Sequence, residues 1–152
     1  MRLLNAKRYA SALLLAAAIV GSSSITALAE NAVGPFTQAQ ITAGRIAFLN
    51  NCTGCHGAFM DGGDAPALTG QNFVDDWLNK STHQLFQFAS VNMPFNNAGM
   101  LSQETYVNLV AFILAVNGAR PGLVPFTKDT DVKIGTIADG NSVLAVLDGE
   151  GP

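Results

Sequence analysis

The run Asn51-Cys52-Thr53-Gly54-Cys55-His56-Gly57 constrains this chain more than any other stretch. It holds both cysteines of the protein and one of its two histidines, arranged as C-x-x-C-H. Cysteines three positions apart lie about one helical turn from each other, so both thiols can reach neighbouring groups on one edge of a flat ligand. The residue after the second cysteine then offers a ring nitrogen beneath the centre of that ligand. This is the pattern of covalent haem attachment, with Cys52 and Cys55 bound to the porphyrin and His56 as the proximal ligand of the iron. Thr53 and Gly54 are small spacers that let the chain lie close to the ring. Two other readings of C-x-x-C compete, a redox dithiol and half of a zinc site. Zinc needs four ligands, and only His83 remains outside the cluster. A dithiol motif normally sits beside a βαβ pattern, and none is visible nearby.

The N-terminus points to export. Arg2, Lys7 and Arg8 form a positive region, Ala10 to Val20 is apolar, and Ala27-Leu28-Ala29 has the A-x-A form of a cleavage site. The spacing predicts a secretory signal peptide over residues 1–29. The apolar run is too short to span a bilayer, so no integral membrane span is expected in the mature chain. With both cysteines committed to haem, no disulfide is expected. Removal of residues 1–29 leaves five basic residues against eleven acidic ones, a formal net charge of −6. Such a surface disfavours nucleic acid and anionic membranes and permits a partner with a basic patch. The expected location is the periplasm.

The rest of the chain reads as helices joined by loops. Thr37-Gln38-Ala39-Gln40 is a capping-box pattern and predicts a helix from about Gln38 to Asn50, with Ile41, Gly44 and Phe48 on one face. Gly44 costs helix stability, which suggests the close approach of another helix. Residues 57–70 read as an irregular loop rich in Gly, Asp and Ala. Phe73, Trp77 and Leu78 have helical spacing over 72–80, and Ser81-Thr82-His83-Gln84 opens a further helix to about Val91. A turn-rich loop, 92–100, carries Met93, Pro94 and Met100. Ser102 then caps a long helix with a stripe of Tyr106, Leu109, Val110, Ile113 and Leu114, ended by Gly118. Beyond it, 132–137 and 142–147 read as short strands or extended segments.

The order of these motifs resembles a class I monohaem cytochrome c. The helix before C-x-x-C-H, the Pro66-Ala67-Leu68-Thr69-Gly70 loop, the methionine loop and the C-terminal helix follow that family's sequence of parts over 38–117. The pattern Leu68, Gly70, Phe73, Trp77, Leu85, Met93-Pro94, Gly99, Leu101-Ser102, Tyr106 and Asn117-Gly118 is similar to the cytochrome c modules that accompany periplasmic quinoprotein alcohol dehydrogenases. The proline frequent before Gly99 in those modules is Ala98 here. The resemblance implies an all-α cytochrome c fold, with its terminal helices crossing where Gly44 and Phe48 meet Tyr106 and Val110. It implies a cytochrome c domain over 30–118, an irregular C-terminal extension over 119–152, and one covalently bound haem c. The carbonyl of Pro66 would accept the proximal histidine's ring N–H, and Met93 would be the distal ligand of the iron. Met100 is the alternative distal ligand, and His83 a weaker one. Met60 lies too close to His56 in sequence to reach the distal side. Trp77 would either border the haem or simply pack in the core.

A six-coordinate His/Met iron is suited to moving single electrons rather than to bond-making. The function this implies is electron transfer, from a periplasmic dehydrogenase to a second redox protein or oxidase, without enzyme activity of its own. The alternative is a haem enzyme or gas sensor with a labile distal ligand. The segment 119–152 either docks the domain on a larger enzyme or packs on its own domain.

Overall fold

The computed structural model describes residues 33–141 and 143. The expected signal peptide lies outside them, as does all of the segment 142–147 except Val143. The described residues form five α-helices, α1 (Gln38–Asn51), α2 (Thr53–His56), α3 (Gly70–Trp77), α4 (Thr82–Asn92) and α5 (Gln103–Val116), and a 3₁₀ turn at Ile134–Thr136. No strand occurs among them, and the fold is all-α. None of these helices is long and apolar enough to cross a membrane.

Local chemistry fixes the helix ends. Both capping boxes form: Thr37 and Gln40 exchange bonds at the start of α1, and Ser81 and Gln84 do so at the start of α4. Each satisfies two backbone donors that the first turn leaves free. Ser102 caps α5 by accepting from the Thr105 amide. At the other end of α5, the Ala119 amide reaches Leu114 O and the Gly118 amide reaches Ala115 O, with Gly118 at φ 93°. This Schellman arrangement needs a left-handed residue, which glycine supplies without a Cβ clash.

α1 packs on α5, and the crossing is closer than side chains allow. A Cβ on Gly44 would run into the carbonyl of Asn108 and come within 2.7 Å of Phe112 Cβ. Phe48 lies beside this point, its ring centroid 5.7 Å from that of Phe112. The atoms nearest Gly44 thus belong to Asn108 and Phe112, two positions further along α5 than the expected Tyr106 and Val110. Periodicity selects the buried face of each helix but carries no information on the register between two helices.

α5 is also buried more completely than its stripe predicts. Val107, Ala111 and Ala115 are buried along with Tyr106, Leu109, Val110 and Phe112–Val116. Part of the reason lies beyond Gly118. Residues 119–141 carry Phe126, Ile134, Ile137 and Ala138 into the same core. The two backbone groups of Phe126 pair with the Gln40 side chain, at 2.8 and 2.9 Å. Thr82 bonds Thr130 O and Val132 O, and His83 Nδ1 lies 2.7 Å from Lys128 O. The segment 132–137 makes a single bridge, Ser81 with Lys133, and then the 3₁₀ turn, in place of a strand. Its Ile134 and Gly135 amides go to Lys80 O and Leu78 O, just past Trp77, where α3 stops short of its expected end.

Candidate functional site

The C-x-x-C-H run sits where α1 gives way to α2. The Cys52 amide still bonds Phe48 O, at 2.9 Å, and the Cys55 and His56 amides both bond Cys52 O, at 3.2 and 2.9 Å. Cys52, Cys55 and His56 therefore occupy a single helical turn. Gly57, at φ 78°, turns the chain out of it. A side chain there would collide with Asp61 and with the carbonyl of Gly62.

The loop after Gly57 folds back on the motif. The Gly62 amide bonds His56 O at 2.9 Å, and the Ala65 amide bonds Cys55 O at 3.0 Å. These contacts bring Pro66 O to 2.8 Å from His56 Nδ1. With Nδ1 acting as the donor to this carbonyl, Nε2 is the ring nitrogen left for a metal, and the bond holds the ring's orientation. Met60 anchors the same loop. It is fully buried, at φ 59°, and its carbonyl accepts from the Leu68 amide and the Thr69 hydroxyl. It serves as a core residue of the proximal loop.

Both cysteines are free thiols. Burial pushes the Cys52 thiol up to about 11, with the neighbouring Cys55 adding to the effect. A nucleophilic dithiol works by the opposite shift in its attacking thiol, toward a thiolate at neutral pH, so Cys52 is not itself such a thiol. Among the described residues, no three of His, Cys, Asp and Glu gather into a metal-holding cluster.

Met93 closes α4 as its C-cap, its amide bonded to Ala89 O at 3.0 Å. It is half-buried, and the peptide to Pro94 is cis. The Tyr106 hydroxyl donates to Met93 O across 2.6 Å. Met100 is 74% exposed, and the described hydrogen bonds of its segment, Asn97 to Pro94 O and Met100 to Asn97 O, stay inside the loop. Trp77 is buried edge-on against Phe88, with Lys80 Nζ 4.4 Å from its ring centroid. His83 is engaged with the C-terminal strap.

Two residues that sequence reasoning assigned only to packing or to a motif prove to hold the ligand loops. Tyr106 grips Met93. Asn117, wholly buried, donates to Leu68 O at 2.8 Å and so holds the loop that presents Pro66. They lie eleven residues apart on α5, about three turns, and therefore on one face of the helix. A signal existed for Tyr106, since a buried tyrosine normally finds a partner for its hydroxyl, but nothing local identifies which partner.

The donor set fits a haem c. It comprises two free thiols on one turn and an imidazole with one nitrogen occupied by a carbonyl.

Comparison with known proteins agrees. Residues 39–113 match the family described as cytochrome C oxidase, cbb3-type, subunit III. No curated protein matches the chain. Among solved structures, it is similar to the sulfane dehydrogenase SoxCD from Paracoccus pantotrophus, at 23% identity and a TM-score of 0.44. That match covers 81% of this chain and 64% of the other, so the chain spans less than two thirds of the protein it matches.

Proposed function

Because residues 39–113 form a cytochrome c-type domain of the cbb3 oxidase subunit III family, which binds haem c covalently and transfers electrons, we propose that this chain is a periplasmic carrier taking single electrons from a dehydrogenase to a downstream redox protein or oxidase. When bound, the haem supplies a one-electron couple at its iron. In this reading Cys52 and Cys55 would hold the porphyrin by thioether bonds, and His56 and Met93 would ligate the iron. The observation that carries it is the 2.8 Å contact between His56 Nδ1 and Pro66 O. That contact supports an imidazole held rigidly as a permanent ligand rather than one that swings. A thioether ligand from Met93 would favour the reduced iron and raise the potential. Together the two ligands leave no coordination position for a substrate.

The dehydrogenase as donor is supported by the run from Leu68 to Gly118, which is similar to modules attached to periplasmic quinoprotein dehydrogenases. The acidic surface expected of the mature chain suits a transient partner with a basic patch. Purified from the native periplasm and mixed with fractions of the same extract, the oxidised protein is expected to be reduced by a dehydrogenase fraction once its alcohol or other substrate is added. If no such fraction reduces it, the proposed donor is wrong, whatever the haem chemistry.

A further inference from the structure

We propose that Tyr106 is a positioning residue for the distal ligand, its hydroxyl setting how readily Met93 leaves the iron. This rests on the reading of Met93 as that ligand. The proximal side is tied down several times over: His56 to Pro66 O, Leu68 to Met60 O, Ala65 to Cys55 O, and Asn117 to Leu68 O. The distal side is tied far more sparsely. From Pro94 to Met100, the described hydrogen bonds stay within the loop, and Phe95 and Met100 are largely exposed. Met93 is where that loop joins the helices. Its amide belongs to α4 through Ala89 O, and its carbonyl belongs to α5 through Tyr106.

Tyr106 is well placed for this task. It is 3% exposed, sits on the first turn and a half of a helix buried around nearly its whole circumference, and so cannot follow the loop outward. The contact is short, at 2.6 Å. Loss of the donor would leave a half-buried carbonyl without its partner, and such a group gains by turning toward water. Turning the carbonyl rotates the Met93 backbone, and with it the direction of the thioether.

The test is carbon monoxide binding to the reduced holoprotein, which must wait for Met93 to leave. Tyr106→Phe removes one oxygen and keeps the packing. It is expected to bind carbon monoxide roughly tenfold faster than the native protein, the size of one lost buried hydrogen bond, while the oxidised form keeps its methionine-to-iron(III) charge-transfer band. Leu109→Ala loosens the same buried helix and leaves the hydroxyl of Tyr106 in place, and its rate is expected to stay near the native one. A Tyr106→Phe rate within about twofold of native, or an equal acceleration in Leu109→Ala, overturns the proposal, because the effect is then absent or merely structural. Met93→Ala separates the two levels. If that variant keeps the band, the ligand assignment fails and this inference with it. If it loses the band while Tyr106→Phe leaves the rate unchanged, only the positioning role fails.

Discussion

With Cys52 and Cys55 both replaced by serine, the protein is expected to carry no covalent haem at all. The two thiols share one turn with His56, and no other cysteine exists to take their place. Serine preserves the size and the helical turn but offers no sulfur to bond the porphyrin. Each single variant retains one anchor and is expected to hold less haem, bound through one sulfur. The measurement is intact mass after denaturation. The native protein should carry the added mass of one haem, and the double variant none. Haem that survives denaturation in the double variant would mean that the attachment site lies elsewhere. The raised pKa of Cys52 bears on the route to attachment. With its thiol pushed to about 11 by burial, Cys52 is overwhelmingly protonated at neutral pH, so before haem is attached this thiol is a poor spontaneous nucleophile.

The second large effect lies far from the chemistry. Gly44→Val is expected to cost about 3 kcal/mol and to lower the melting temperature by roughly 10 °C or more. The Cβ of any larger residue would meet the Asn108 carbonyl carbon at 2.6 Å and Phe112 Cβ at 2.7 Å. Both belong to the rigid spine of α5, so the conflict is relieved only by moving one helix off the other. That movement would also loosen the Phe48–Phe112 contact and, through α5, the grip of Tyr106 and Asn117 on the two ligand loops. Ala43→Val, one residue earlier on the exposed side of α1, serves as the control and should cost only about 0.5 kcal/mol in helix propensity. Equal melting of the two variants would mean that the crossing at Gly44 is not tight.

The contrast between these two sites shows what a sequence makes legible here. The attachment turn, both capping boxes and the Gly118 stop depend on residues within about five positions of one another, and each can be read from local spacing. Gly44 announces a close approach, but its partner, Asn108 rather than Tyr106, depends on how two helices slide along each other. The strap over 119–141 was the least legible part. Its amides and carbonyls bond Gln40, Leu78, Lys80, Thr82 and Asn117, so no periodicity of its own organises it. Pro66 could be singled out only because its loop is similar to that of a known family, since any carbonyl is chemically able to accept a bond from an imidazole. Tyr106 illustrates the same limit at the site itself: its burial follows from the stripe on α5, but the Met93 carbonyl at its tip lies thirteen residues away, across a loop.

The absorption spectrum of the oxidised protein tests the closed His/Met site most directly. A charge-transfer band between methionine sulfur and iron(III) is expected in the native protein and in Met100→Ala, and its loss is expected in Met93→Ala. A native protein without that band, or one whose reduced form binds carbon monoxide as soon as the two are mixed, would contradict a closed electron-transfer centre and point instead to an iron open to ligands.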